Sequence, residues 1–131
     1  MNLSIRLFVA FAIIPTLLQA CIGDVYLPAK TRVRIFNSLP GGVTLTVHCQ
    51  SKDDDLGFHQ IPPNGSWEFV FTTNIEGTTL FFCNMQWSDQ SHYFDVYTEK
   101  RDYDRCNNVC PWYVRPSGPC FNNTDCENWN S

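Results

Sequence analysis

Val43-Thr44-Leu45-Thr46-Val47-His48-Cys49-Gln50-Ser51-Lys52-Asp53-Asp54-Asp55-Leu56-Gly57 is the stretch that decides the fold of this chain. Val43, Leu45 and Val47 alternate with Thr44, Thr46 and His48, the period of a strand with one face buried. Asp53, Asp54 and Asp55 repel one another, so they belong at a hydrated loop tip. Gly57 tolerates a positive φ that other residues resist. Cys49, where the apolar run ends, anchors the loop covalently if it is oxidised. The segment therefore reads as strand, staple and charged loop.

The same alternation recurs on both sides. Val33 and Ile35 alternate with Arg32 and Arg34 in a strand from about Thr31 to Asn37. Leu39-Pro40-Gly41-Gly42 is a turn by composition, so the 43–48 strand is expected to pair back on the first as a hairpin. Phe58 to Ile61 is a short apolar piece. Pro62-Pro63-Asn64-Gly65 turns the chain into a strand in which Trp67, Phe69 and Phe71 alternate with Glu68, Val70 and Thr72. Thr78 to Asn84 is a nearly continuous apolar run, as in a central strand covered on both faces. Next, His92, Phe94 and Val96 are expected to face one way and Tyr93, Asp95 and Tyr97 the other. Arg101 to Asn108 is polar and turn-like. Trp112 and Val114 mark a late strand, and the tail after Cys120 frays unless Cys126 pins it. Many short strands without helical periodicity indicate an all-β sandwich or barrel.

The chain is long enough for one domain and too short for two independent cores. Residues 1–20 have the form of a secretory signal peptide: Arg6, an apolar run from Leu7 to Ile14, the helix breaker Pro15 and the small Ala20. The run is well short of the ~20 apolar residues needed to span a bilayer. Leu18-Gln19-Ala20-Cys21 approximates a bacterial lipoprotein processing site, but Gln19 is unusual in that pattern. The sequence holds seven cysteines, a density that signals disulfides in an exported chain. Cleavage after Ala20 keeps all of them, whereas cleavage as late as Gly23 drops Cys21 and leaves an even set. The expected organisation is a signal peptide over 1–20 and a single domain over 24–131. The remaining cysteines Cys49, Cys83, Cys106, Cys110, Cys120 and Cys126 are disulfide candidates with no pairing fixed by sequence. The formal charge of −4 becomes more negative once Arg6 is removed. Neither nucleic acid nor an anionic membrane surface suits such a chain. Asn64 and Asn122 head sequons in predicted loops and are candidate glycan carriers.

Several blocks, in this order, resemble the plant self-incompatibility S1 family and its S-protein homologues. They are Val33-Arg34-Ile35-Phe36-Asn37; the HC-x-SKDDDLG stretch at 48–57; Gly65 to Phe71; Thr78 to Cys83 with Trp87; His92 to Tyr97; Arg101-Asp102; Cys110-Pro111-Trp112; and Gly118-Pro119-Cys120. The match runs from about Arg32 to Cys120. The resemblance implies a secreted, small, disulfide-stabilised antiparallel β-sandwich with core cysteines Cys49, Cys83, Cys110 and Cys120. It suggests the pairs Cys49–Cys120 and Cys83–Cys110, leaving Cys106 open. The family's founding members are stigma proteins that act as ligands for a pollen receptor. Cys21 and the Cys126 tail are variable in the family and carry no function over.

Clustered carboxylates at Asp53-Asp54-Asp55 suit calcium, but the alternating ligands of an EF-hand are missing. A hydrated tip that doubles as a recognition loop fits better, with Lys52, Asp53, Asp54 and Asp55 as receptor-contact candidates. His48, His59 and His92 match no zinc spacing, and export favours disulfides over thiolate ligands. Cys106 and Cys110 are too far apart for a redox CxxC motif. No nucleophile, base and oxyanion donor come together, so no catalytic residue, cofactor or metal is expected. Trp67, Trp87 and Trp112 suit a core or its rim. The expectation is a monomeric, non-enzymatic extracellular ligand for a cell-surface receptor, with no membrane insertion after signal removal. It would present loops 37–43, 50–57, 73–78 and 85–92. A lectin-like cell-wall module using exposed tryptophans is the alternative.

Overall fold

The computed structural model describes residues 30–106 and 108–131. The expected signal segment, both candidate cleavage points and Cys21 lie outside the described residues. The strands are β1 (Lys30–Asn37), β2 (Leu45–Gln50), β3 (Asp55–Ile61), β4 (Ser66–Thr72), β5 (Leu80–Trp87) and β6 (Gln90–Thr98). A single helical turn α1 (Glu99–Asp102) leads to β7 (Val109–Arg115), β8 (Gly118–Phe121) and β9 (Asp125–Cys126). They form two sheets, β4-β1-β7-β8-β9 and β3-β2-β5-β6, so the fold is the expected β-sandwich. One neighbouring pair departs from the antiparallel pattern: β1 and β7 run parallel, with Ile35 opposite Trp112.

The inward positions follow from alternation. Val33 and Ile35 of β1, Leu45 and Val47 of β2, and Trp112 and Val114 of β7 are fully buried. Trp112 joins the two layers. Its indole N–H donates to the Val96 carbonyl at 2.8 Å, and its ring meets Phe94 and Phe121 edge-on. Asn37 is buried where β1 ends, and its polar atoms are all used. Its amide donates to the carbonyls of Val43 and Ile61, and its side-chain oxygen accepts from Leu39 N–H. That satisfaction lets a buried amide hold the 38–44 connection in place.

Four expectations need correction. First, β1 and β2 do not form a hairpin. β1 pairs with β4 and β7, and β2 pairs with β3 and β5. Second, the 78–84 run is not covered on both faces. In β5, Phe81, Cys83, Met85 and Trp87 point inward, while on the other face Leu80 and Gln86 are exposed, Phe82 is half-buried and Asn84 alone is buried. Third, Tyr97 is buried beside Val96. Phe81 opposes Tyr97 while Phe82 opposes Asp95, so Val96 is the extra residue of a bulge that turns Tyr97 inward. Fourth, the pairing suggested by the resemblance is not the one found. The disulfides are Cys49–Cys83, Cys106–Cys110 and Cys120–Cys126. Cys49 faces Cys83 across β2 and β5, and Cys120 faces Cys126 across β8 and β9.

Burial pushes the Tyr97 phenol up to about 12, with Glu99 and Asp102 adding to the shift. The folded state therefore holds the neutral phenol more firmly than the unfolded chain does. That contribution is fully present below ~10, the ordinary tyrosine value, and is lost as pH rises from there toward the folded value. Alkaline unfolding followed by circular dichroism is expected to set in at higher pH in Tyr97→Phe than in the unaltered protein.

The tail does not fray. Glu127 N–H donates to the Pro119 carbonyl and Asn130 N–H to the Tyr93 carbonyl, while the Asn130 side chain accepts from Asp95 N–H. Trp129 packs beside Trp87 and His92. The segment beyond the Cys120–Cys126 staple thus crosses from one sheet to the edge strand of the other.

Candidate functional site

The acidic stretch divides into two parts with different tasks. Ser51 to Asp54 form the loop between β2 and β3. Ser51 N–H donates to the Asp54 carbonyl and Asp54 N–H to the Ser51 hydroxyl. Lys52, Asp53 and Asp54 are exposed on it. Asp55 instead begins β3, and its Oδ1 accepts Gly57 N–H at 2.9 Å and lies 2.7 Å from His48 Nε2. The Gly57 hydrogen bond, reinforced by His48, holds the Asp55 carboxyl below the usual carboxylate range. Gly57 has φ 80°, and the register slips there, with Gln50 opposite Asp55 but His48 opposite Phe58. Leu56 and Gly57 thus oppose Cys49 alone in a glycine-dependent bulge. Asp55 and Gly57 shape the loop, and Asp53 and Asp54 are presented by it.

A second loop stands beside it. Residues 73–79 link β4 to β5, and Asn74 ties them down. Asn74 N–H donates to the Thr79 hydroxyl at 2.7 Å, its side-chain oxygen accepts Thr78 N–H at 2.9 Å, and its amide donates to the Thr78 hydroxyl at 3.1 Å. Between these ties Ile75 is wholly exposed. The two loops border an open cleft of about 980 Å³, with Asp53, Asp54 and Glu76 at its rim and Phe71, Leu80 and Phe81 among its apolar lining. The sequence marks 73–78 as a candidate loop without singling out Ile75 or Glu76. An isoleucine stranded between Asn74 and Glu76-Gly77, outside any alternation, was the available signal.

The four expected loops do not share one surface. By strand direction, 51–54 and 73–79 lie at one end of the sandwich and 38–44 at the other. The 85–92 stretch is largely strand: Met85 and Trp87 are buried and only Ser88 and Asp89 form the turn. Asn64 and Asn122 are exposed in turns with positive φ. Asn64 sits at the 38–44 end. Asn122 is at the cleft end but next to β8 and β9, across the sheet from β4. His48 stacks on Phe58, His59 on Trp67 and His92 on Trp129. No group of three or more His, Cys, Asp or Glu side chains is placed to hold a metal among the described residues. No helix among them is long and apolar enough to cross a membrane.

Comparison with known proteins places these features in a lineage. The family model described as plant self-incompatibility protein S1 matches residues 32–131. The chain belongs to this family. S-protein homolog 3 of Arabidopsis thaliana is 46% identical over 117 residues, covering 82% of this chain and 77% of that protein. S-protein homolog 2 of the same plant is 40% identical over 117 residues, covering 82% and 73%. S-protein homolog 29 is 35% identical over 123 residues, covering 92% and 89%. A solved structure of a self-incompatibility protein homologue superposes with a TM-score of 0.58 at 16% identity, covering 80% of this chain and 98% of that one. It is described as representing a widespread family of small, highly stable, secreted plant proteins. The family is named for self-incompatibility and not for a reaction.

Proposed function

We propose that this S1-family protein is a secreted ligand for a plant cell-surface receptor and that the 51–54 and 73–79 loops form its recognition surface. The observation that carries this reading is their convergence. Loops from two separate strand connections, each fixed by its own hydrogen bonds, border one cleft. Binding residues concentrate on loops that a rigid scaffold positions. In this reading residues 1–20 are removed on export, Asn64 and Asn122 carry glycans, and the mature protein acts as a monomer without cofactor or catalysis. The tryptophans of the lectin-like alternative are poor stacking platforms. Trp112 and Trp87 are buried, and the Trp67 ring is taken by His59.

The test is saturable binding of labelled, refolded protein to intact plant cells, abolished by protease treatment of the cells. Asp53→Asn/Asp54→Asn is expected to weaken binding about tenfold, equivalent to ~1.4 kcal/mol, with thermal unfolding unchanged. Asp55 is left intact because it shapes the loop. Unchanged affinity removes the acidic loop from the interface, and the absence of saturable binding overturns the receptor reading.

A further inference from the structure

We infer that the cleft takes an extended, basic segment of the receptor that inserts one apolar side chain, and that Ile75 is buried against the same partner. This rests on the reading above and specifies its chemistry. Three features converge. The rim carries the carboxylates of Asp53, Asp54 and Glu76 against the single ammonium of Lys52. Such a rim attracts lysine and arginine and repels phosphate, anionic lipid and nucleic acid. The lining also holds apolar residues: Val70 and Leu80, 41% and 40% exposed, and Phe71 and Phe81, whose ring centroids lie 4.6 Å apart. The exposed apolar side chains and the acidic rim together favour a segment with an apolar anchor between basic residues over a purely ionic one. The cleft is also open to solvent, which suits a segment of chain better than an enclosed small molecule.

Ile75 supplies the reciprocal contact. It is 102% exposed, so folding leaves its apolar surface in water. The Asn74 ties already hold its loop in shape, so little loop entropy is lost when a partner covers it.

The experiment uses the refolded, disulfide-intact protein labelled with ¹⁵N. It is titrated with capped Lys-Lys-Leu-Lys-Lys, with Lys-Lys-Ser-Lys-Lys and Glu-Glu-Leu-Glu-Glu as controls. The basic leucine peptide is expected to give saturable shifts confined to residues 51–54 and 70–82 that weaken steeply with added salt. Leu80→Ser and Asp53→Asn/Asp54→Asn/Glu76→Gln are each expected to weaken it at least about tenfold, with thermal unfolding retained. Equal binding of the serine or glutamate peptide, shifts spread over the whole surface, or no saturable shift overturns the proposal. Ile75→Ser separates the two contacts, because it removes the apolar side chain without changing the charge of the rim and is expected to lower cell binding about tenfold while the peptide titration stays unchanged. Cell binding that survives every cleft variant overturns the cleft and leaves the receptor reading intact. Loss of the receptor reading would instead show as unaltered protein that fails to bind cells.

Discussion

Asp102→Ala is expected to destabilise the domain by about 3–5 kcal/mol, as when one partner of a buried ion pair is removed. The carboxylate is fully buried and every direction around it is used. Oδ1 accepts from Arg101 Nε at 2.8 Å and Arg105 Nε at 3.1 Å. Oδ2 accepts from Arg101 Nη2 at 2.7 Å and Thr98 N–H at 3.0 Å. The two guanidinium groups lie over the aromatic core. Arg101 is 4.9 Å from the Trp112 centroid and Arg105 is 3.9 Å from that of Phe121. Removing Asp102 leaves both cations facing those rings, with only the more distant carboxylates of Glu127 and Asp125 nearby at 3.5–3.7 Å. Because Arg101 and Arg105 are 23% and 26% exposed, water relieves part of the loss, and the lower end of the range is expected. Asp102→Asn keeps the shape and some acceptors while losing the charge, so its effect falls between. The measurement is the urea midpoint at constant m-value. A loss below about 1 kcal/mol would show that Glu127 and Asp125 take over the pairing and that Asp102 is dispensable.

That cluster also marks a limit of sequence reading. Arg101 to Asn108 looked like a polar turn because adjacent opposite charges are ordinary on a surface. Nothing in the local pattern reveals that the chain buries the Asp102 carboxylate against two arginines that lie over Trp112. By contrast, alternation in β1, β2, β4 and β7 was legible, since period two follows directly from the pleat. Alternation tells which face is buried, not which strand lies alongside. The expected hairpin of β1 and β2 failed for that reason: the 38–44 connection carries the chain from one sheet to the other. Tyr97 was missed through a bulge, which shifts the face of every residue beyond it. At the site, Asp53, Asp54 and Asp55 are one run in the sequence. Only the Gly57 and His48 contacts separate the structural carboxylate from the two presented ones. Ile75 has no periodic partner, and its meaning depends on the Asn74 ties that hold it out.

Disulfide pairing was illegible for a related reason. It depends on strand register, and register is a long-range property. Because Cys49 and Cys83 face each other across β2 and β5, their bond joins the two inner strands of one sheet and closes a span of 34 residues. The other two close spans of only 4 and 6 residues. Since the three spans do not overlap, the chain entropy removed from the unfolded state is close to a sum. The loop-closure relation gives ~3.5–4 kcal/mol for the longest and ~2 kcal/mol for each of the others. Cys49→Ala/Cys83→Ala is therefore expected to lower stability by about 3–4 kcal/mol, close to twice the loss from Cys120→Ala/Cys126→Ala. Alanine is the right replacement because both sulfurs are fully buried among apolar side chains, where serine would add an unpaired hydroxyl. Urea titrations of the two double variants under identical oxidising conditions give the comparison. Equal losses would mean that the long span keeps residual structure when unfolded. A larger loss from the Cys120–Cys126 pair would mean that its contribution comes from docking the tail at Tyr93 and Asp95, and the tail would then rank with the inner strands in holding the sandwich closed.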